Sequence, residues 1–341
     1  MIKITDIAKK SGVSRGTVDR VLHNRKGVKS DVALRVQTIA DELGYVPNKA
    51  GKILAARKQK IILGCLLPDI GNPFFADVIV GFKKAESELS DYNVSIRLYH
   101  VKGFDSSEHA RMIATMFRDG CSGMCLTTMD VPEIQNSINT VISKGVPVVM
   151  VNTRVNDVRA ICYVGPDYYL AGRTAAGLFA MTEHKQQTFL MITGSFNIPG
   201  HMERIRGFRE CLCEKKFPFS VDDIFESNDN DECSYLETKR RLQEKPGITT
   251  VFIAAAGVEG ACRAVDELGL PIHVIAFDVI PATKKYVQEG LIDFTICQEP
   301  VEQGYLGATL LFSYLMEEGK RKIKDHITRC IIKIRENINE V

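Results

Sequence analysis

From residue 61 onward, short apolar runs alternate with stretches that have the spacing of amphipathic helices. The runs predict strands at IILGCLL (61–67), VSIRLYHV (94–101), GMCLTT (123–128), PVVMV (147–151), TFLMIT (188–193), TTVFIAAA (249–256), IHVIAF (272–277) and DFTICQ (293–298). Helical spacing covers 75–89, 106–118, 168–182 and 203–215. This alternation is typical of parallel sheets joined by crossover helices. Because about 280 residues exceed one comfortable core, we expect two doubly wound α/β subdomains.

The charge of the chain is divided unevenly along its length. Residues 1–60 hold 14 Lys and Arg against 5 Asp and Glu, whereas the rest of the chain holds 30 basic and 37 acidic residues. A basic module joined to an acidic body predicts a polyanionic partner that the module alone contacts. The structural alternative is a solvated basic surface.

Composition excludes several other classes of protein. The chain is 45% hydrophobic and 25% charged, as in soluble globular proteins. No apolar run approaches the 18 residues of a membrane helix, and no apolar segment follows the basic residues of MIKITDIAKK. Ten cysteines without a secretion signal indicate reduced thiols. We therefore expect a cytoplasmic protein with no membrane partner.

Residues 1–46 predict three short helices. Thr5 is placed to cap the first, Gly12 allows a tight turn, Ser14 caps the second and Ser30 starts the third. The apolar residues that would face one another are Ile4, Ile7, Ala8, Val18, Val21, Leu22, Val32, Val36, Ile39, Ala40 and Leu43. This spacing is that of a helix-turn-helix, whose second helix enters the major groove of DNA. An ordinary three-helix bundle is the structural alternative.

Four ordered motifs in this region carry a family resemblance. ITDIAKKSGVS, GTVDRVL, ELGYVPN and KILAARK together resemble the head and hinge of the LacI/GalR (lactose-repressor) family of transcriptional regulators. The resemblance implies a helix-turn-helix DNA-binding domain at 1–46 and a hinge helix at 47–59. It further implies a repressor of transcription that binds a pseudo-palindromic double-stranded DNA operator as a homodimer.

The resemblance also assigns roles to individual residues of the head. Arg15, Gly16 and Arg20 match base-reading positions, and arginine is the commonest reader of guanine. Backbone-contacting positions are matched by Ser14, Thr17 and Asn48, and the minor-groove wedge by Leu54; Thr5 completes the DNA-binding set. The structural alternatives are solvated arginines, a turn residue at Asn48 and a core residue at Leu54.

The body resembles the periplasmic sugar-binding-protein fold. This resemblance rests on Asn72-Pro73-Phe74-Phe75, on 167–172, on Arg204 with Gly207-Phe208, on Phe277-Asp278 and on Gln298. It implies an effector and dimerisation domain at 60–341, with one subdomain at about 60–163 and 294–323 and the other at about 164–293 and 324–341. In such sheets the ligand lies beyond the carboxyl ends of the strands, here in a cleft between subdomains.

The resemblance predicts which residues bind the effector. Arg204 and Asp278 would each bind two hydroxyl groups, Gln298 would lie at the crossover and Phe75 would stack on the ligand. Further candidates are Asn72, Asn152 and Arg154. The structural alternatives are a helix cap near Ile280 for Asp278 and a salt bridge for Arg204. Asp167 is interpreted as an N-cap and Phe74 as core.

One segment departs from the family pattern. After TTVFIAAA, sugar-binding members usually have an asparagine, whereas this chain has Gly257, followed by Val258-Glu259. Glu259 is either a substitute for the amide or a first-turn acid favoured by the helix dipole. A sugar is the leading effector, and a purine or a sugar phosphate is the alternative.

Two other classes of function fit the sequence less well. A solute-binding receptor without DNA function would not need the basic head. An enzyme would need a nucleophile and base, and neither a Walker loop, a Gly-x-Ser-x-Gly elbow nor a His-Glu-x-x-His helix occurs in the sequence. We therefore expect a regulator that is not an enzyme and has no cofactor and no metal.

Overall fold

The computed structural model describes residues 4–22, 27–43, 60–317, 319 and 322–340. The chain forms two compact units, Met1–Ala56 and Arg57–Val341. The hinge candidates Asn48 and Leu54 lie outside the described residues. Within the described ranges, no helix combines the length and the apolar character needed to span a membrane.

The first unit contains the three short helices that the sequence predicts. They are α1 (Ile4–Ser11), α2 (Arg15–Leu22) and α3 (Ser30–Glu42). Their core consists of Ile7, Val18, Val21, Val36 and Ala40, with the other predicted apolar residues packed against it.

Two local signals determine how the first two helices are joined. Gly12 adopts a φ of +67°, a conformation that glycine adopts without the strain of a side chain. The Ser14 Oγ accepts a hydrogen bond from the Thr17 N–H at 3.1 Å, so Ser14 caps α2 as predicted. The prediction for Thr5 is wrong, because α1 already includes Ile4 and therefore places Thr5 inside the helix.

The second unit contains two six-stranded sheets among its described residues. The first sheet has the order β11-β5-β4-β3-β1-β2 and the second the order β12-β10-β9-β8-β6-β7. The strands are β1 (Ile61–Ile70), β2 (Val94–Lys102), β3 (Gly123–Leu126), β4 (Val148–Val151), β5 (Tyr163–Pro166), β6 (Gln187–Thr193), β7 (Phe219–Glu226), β8 (Thr250–Ile253), β9 (His273–Phe277), β10 (Phe294–Cys297), β11 (His326–Thr328) and β12 (Ile331–Lys333). Neighbouring strands pair in parallel, except that β12 is antiparallel to β10.

Helices cover both faces of each sheet. They are α4 (Phe75–Leu89), α5 (Ser106–Arg118), α6 (Pro132–Ser143), α7 (Tyr168–Thr182), α8 (Pro199–Glu214), α9 (Asp231–Glu244), α10 (Val258–Leu268), α11 (Pro281–Glu289) and α12 (Pro300–Met316). Alternate residues of one strand belong to different apolar clusters: Leu63 and Cys65 of β1 lie in one, and Leu66 lies in another. The doubly wound α/β architecture is thereby confirmed.

Strand pairing corrects all three predicted subdomain boundaries. The boundary predicted after residue 163 falls inside β5, but β5 pairs with β4 and lies in the first sheet. The sequence predicts β10 in the first subdomain and β11 in the second, whereas β10 pairs with β9 in the second sheet and β11 pairs with β5 in the first. The chain therefore crosses between subdomains at 166–168, 297–300 and 328–331. The reason is physical: each of these strands has only three or four residues, and its place depends on the neighbour it pairs with. Likewise α8 begins at Pro199, four residues before the predicted helix.

Candidate functional site

A cavity lies between the two subdomains at the carboxyl ends of their strands. Its walls include the loop after β1 with Asn72, the first two turns of α8 with Arg204, and the ends of β9 and β10 with Asp278 and Gln298. Three crossovers and the strand ends thus bring together residues that are more than 200 positions apart in the chain.

Arg204 is the most deeply buried charged residue of this cavity, with 2% of its surface exposed. Its Nη1 donates to the Ala254 carbonyl oxygen at 2.7 Å, and its Nη2 lies 3.9 Å from the Asp278 Oδ2. The guanidinium lies 4.1 Å from the centre of the Phe277 ring and 4.9 Å from that of Tyr168. A cation held between two aromatic faces is fixed in orientation before any ligand arrives.

Asp278 and Gln298 form a polar pair beside this guanidinium. Asp278 has a φ of +69°, and its Oδ1 accepts a hydrogen bond from the Gln298 Nε2 at 2.7 Å. Burial raises the pKa of the Asp278 carboxyl, and the positive charge of Arg204 opposes this rise. The helix-cap alternative is wrong, because Ile280 is the N-cap of α11 and no side-chain cap is formed there.

Aromatic side chains line the rest of the cavity. Phe74 and Phe75 lie edge to face, with ring centres 5.1 Å apart, and both line the cavity together with Tyr168 and Phe277. Phe75 is therefore where the sequence predicts it. Phe74 packs in the core as expected but also lines the cavity.

A second carboxyl group enters the cavity from the loop after β7. Asp229 Oδ2 accepts a hydrogen bond from the Asn72 Nδ2 at 2.9 Å, which joins the two subdomains. Burial raises the pKa of Asp229 to about 6; the Asn72 hydrogen bond, the nearby Ala256 N–H and the charge of Arg204 offset this rise only in part.

His201 lies beside Asp229, three residues before Arg204 on α8. Burial, aided by the positive charge of Arg204, lowers the pKa of His201 to about 3, so the imidazole is neutral. Gly194 provides the room for both side chains: a Cβ there would lie 2.7 Å from the His201 Cε1 and closer still to the Asp229 Oδ1.

Four buried polar atoms of the cavity lack a hydrogen-bond partner among the described residues. They are His201 Nδ1, Arg204 Nε, Asp229 Oδ1 and Gln298 Oε1. A buried polar group without a partner costs about 1–3 kcal/mol. Four such groups around one cavity are the arrangement expected of a site that a polar ligand completes.

Two of the predicted effector residues have other partners. Asn152 lines the cavity, but its Nδ2 donates to the Gln303 Oε1 at 3.0 Å. Arg154 does not line the cavity, contrary to the prediction that it binds the effector. Its guanidinium pairs with Asp325 at 2.8 Å and lies over the Tyr163 ring. Asp325 is 171 residues away in the chain, so the sequence does not reveal this pairing.

In the segment that departs from the family pattern, Val258 lines the cavity, whereas Gly257 and Glu259 do not. Gly257 has a φ of +97°, and a Cβ there would lie 2.9 Å from the Ser234 Cβ. Glu259 is a first-turn acid of α10 that accepts a hydrogen bond from the Tyr286 hydroxyl at 3.1 Å, and it does not line the cavity. Of the two interpretations of Glu259, substitution for the amide is therefore wrong.

The predicted DNA-binding residues of the head lie at the surface. Arg15, Gly16 and Arg20 of α2 are exposed, as are Thr5 and Ser14, and Thr17 is half-buried. The arginines lie on the exposed side of α2, because Val18 and Val21 of the same helix are buried in the core. The structure thus leaves the predicted base-reading side chains available to a partner.

Sequence reasoning missed several residues of the cavity, namely Tyr168, His201, Asp229 and Phe277. Two of them carried a usable signal. His201 precedes Arg204 by three residues, which places both on one side of a helix. Tyr168 follows the predicted N-cap Asp167, whose Oδ1 accepts from the Leu170 N–H at 2.8 Å.

Comparison with known proteins agrees with this architecture. Residues 3–48 match the family described as bacterial regulatory proteins, lacI family, and residues 63–320 match the periplasmic binding protein domain. A helix-turn-helix module joined to a two-subdomain body with a ligand cavity defines a ligand-responsive, DNA-binding regulator of transcription. The chain belongs to the periplasmic binding protein domain family over residues 63–320 and carries a lacI-family DNA-binding domain at residues 3–48.

Individual relatives extend over nearly the whole chain. The probable HTH-type transcriptional repressor ExuR of Bacillus subtilis is 28% identical, over 100% of this chain and 99% of its own length. The ribose operon repressor of Haemophilus influenzae is 26% identical over 91% of each chain. Among solved structures, GanP, a glucose-galactose binding protein from Geobacillus stearothermophilus, has a TM-score of 0.76 and 24% identity over 82% of this chain and 99% of its own, a likeness of fold.

Proposed function

We propose that the protein is a homodimeric, cytoplasmic repressor whose operator affinity is controlled by a sugar bound between its subdomains and released unchanged. The proposal that a sugar binds in the cavity rests on the four polar atoms of the described residues that lack hydrogen-bond partners beside aromatic walls. A sugar presents hydroxyl groups that both donate and accept, together with an apolar ring face. These groups match carboxylate, amide and guanidinium partners and the rings of Phe75 and Phe277.

The proposed control works through the three crossovers. Asn72 and Asp229 join the subdomains by one hydrogen bond. A ligand that contacts both subdomains would add further contacts, and these exist only in the closed form, in which the two subdomains meet around the ligand. A ligand shifts such an equilibrium by its difference in affinity for the two forms. The closed form would then favour or disfavour the arrangement of two heads on a palindromic operator.

If a sugar binds in the cavity, it should raise the melting temperature of the protein, and this rise should require the Asp278 side chain. A ligand at 100 times its Kd stabilises the folded protein by about 2.7 kcal/mol. We expect at least one member of a panel of sugars, sugar phosphates and purines to produce this rise, and Asp278→Ala to abolish it. Asp266→Ala is the matched control, since Asp266 is an exposed acid of α10 away from the cavity. A panel without any effect would contradict the proposed effector.

If Arg15 reads bases of the operator, Arg15→Ala should weaken binding to the preferred DNA duplex by about 1–3 kcal/mol. The variant should also reduce the ratio of affinities for the preferred and the scrambled duplex. Arg35→Ala, which removes an exposed arginine of α3 and leaves the predicted recognition helix α2 unchanged, is the charge-matched control. It should reduce binding to both duplexes by similar factors. Titration of both fluorescent duplexes at one fixed salt concentration measures the two ratios. Equal effects of the two variants on preference would contradict a base-reading role for Arg15.

A further inference from the structure

The corner of the cavity around Asp229 has a fixed hydrogen-bond polarity. The Asn72 Oδ1 accepts from the Phe74 N–H at 3.1 Å, which orients the amide so that its Nδ2 donates to Asp229. The Asp229 Oδ2 is thereby occupied, and the Oδ1, buried and without a partner among the described residues, remains as an acceptor. The Ala256 N–H also lies near this carboxyl group, and a ligand hydroxyl that donates to the Oδ1 would complete its hydrogen bonding.

The charged groups of the cavity are unequal in number. Its lining, all of it within the described part of the chain, contains two carboxyl groups, Asp229 and Asp278, and one cation, Arg204. The remaining ionisable side chains are neutral: burial lowers the pKa values of both His109 and His201. His109 is also fully partnered, with Thr128 at 2.9 Å and the Gly103 carbonyl at 3.1 Å.

Arg204 already faces a carboxyl group of the cavity. Its Nη1 donates to the Ala254 carbonyl oxygen, and its Nη2 lies 3.9 Å from the Asp278 Oδ2, which is an ion-pair distance and not a hydrogen bond. Its Nε lacks a hydrogen-bond partner in the described structure, so the guanidinium keeps donors for a ligand. A carboxylate or phosphate would nevertheless add negative charge to a site in which two carboxyl groups already lie beside one cation. Like charges brought together in a desolvated site weaken binding.

We infer that Asp229 is a specificity-determining residue, which selects an uncharged sugar whose hydroxyl donates to its Oδ1 and rejects the sugar acid or sugar phosphate of the same skeleton. This inference rests on the proposed sugar effector and narrows its class. Asp229 comes from the loop after β7, and it fills the corner beside Ala256, next to the position where the family's usual asparagine is absent.

The isosteric variant Asp229→Asn reverses the polarity of this corner. Because Asn72 still donates its Nδ2, the new amide must turn its oxygen toward Asn72 and its NH2 group toward the cavity. The variant thus replaces a charged acceptor with a neutral donor and changes little in volume. A hydroxyl that donated to Asp229 loses its partner, and an anion gains one.

The experiment measures Kd from thermal shifts of the intact chain with matched probes: D-galactose, D-galacturonate and D-galactose 6-phosphate, then D-glucose and D-ribose with their acid or phosphate counterparts. For the skeleton that binds, we expect the uncharged sugar to bind at least about 10-fold more tightly than its anionic counterparts. Asp229→Asn should weaken the uncharged sugar about 10- to 100-fold and reduce or invert this ratio.

Asn72→Ala serves as the control for a purely structural role. It removes the hydrogen bond between the subdomains and one of the groups that lower the pKa of Asp229. The comparison is therefore made at pH 8, above the pKa of about 6 that Asp229 has in the unaltered protein, so that the carboxylate stays charged. Under that condition Asn72→Ala should weaken all probes without changing the ratio of uncharged to anionic ligand. Tighter binding of an acid or phosphate by the unaltered protein, or an unchanged ratio in Asp229→Asn, would overturn the inference while leaving the sugar effector in place. No shift with any probe would overturn the sugar effector itself, and the inference with it.

Discussion

Replacement of Gly172 by alanine is expected to lower the free energy of unfolding of the second unit by about 3 kcal/mol, at the upper end of the usual cost of overpacking. α7 and α8 are in backbone contact at this point. A Cβ on Gly172 would lie 2.8 Å from the Arg204 carbonyl carbon and closer still to its oxygen, and a Cβ on Gly207 would meet the Tyr169 carbonyl in the same way. Backbone atoms cannot rotate aside as a side chain can, so the helices must separate.

Gly177→Ala is the matched control on the same helix. Apart from its chain neighbours and the backbone of its own helix, no described heavy atom lies within 4 Å of the position that its Cβ would take. An alanine there is expected to stabilise the protein by about 0.5–1 kcal/mol, because alanine loses less conformational entropy in a helix than glycine. Melting temperatures of the two variants should therefore move in opposite directions. A shift of the same sign and size would show that helix propensity, not backbone contact, governs Gly172.

The separation of α7 from α8 should also affect the cavity. α8 carries His201 and Arg204, and Tyr168 begins α7, so the same contact that fixes the helices positions three cavity residues. We expect the Gly172→Ala variant to lose affinity for any ligand of the cavity even at temperatures where it remains folded.

The sequence predicts those parts of the fold that depend on continuous apolar runs. β1, β6, β8 and β9 are central and buried, and their runs are unbroken. β7 is different, since it lies at the edge of its sheet and is only partly buried, so Asp222 and Asp223 interrupt its apolar pattern. The cavity residue Asp229, which follows β7, was missed for the same reason.

In the candidate site, too, the sequence predicts some residues and not others. Arg204, Asp278 and Gln298 occur in motifs that a family resemblance can assign, and they lie together in the cavity. The partners of Asn72 and Arg154, by contrast, are set by residues 157 and 171 positions away. Such pairs follow from how the subdomains meet and from which strand closes each sheet, and local spacing contains neither piece of information.

Replacement of Arg204 by methionine is expected to be the most damaging single change in the cavity, lowering the free energy of unfolding by about 3–5 kcal/mol. Methionine keeps most of the volume between Phe277 and Tyr168, so the loss reports mainly on charge and hydrogen bonding. The Ala254 carbonyl would lose its 2.7 Å donor, and Asp278 would lose the cation that it faces.

The matched control is Arg206→Met, two residues further along α8. Arg206 is half exposed and pairs with Glu203 and Glu210 at the surface, where solvent screens the charges, so its loss should destabilise the protein far less than that of Arg204. Equal destabilisation by the two variants would show that the cavity does not depend on the buried cation.

The dependence on pH separates the loss of charge from the loss of packing. Arg204 lowers the pKa of Asp278, Asp229 and His201 in the folded protein, so without it all three groups bind protons more readily in the folded state. Stability falls with rising pH wherever the folded state binds more protons than the unfolded state. The difference in unfolding free energy between the unaltered protein and Arg204→Met should therefore be larger at pH 8 than at pH 5, as measured by denaturant unfolding at both. A difference that is the same at both pH values would assign the whole effect to packing.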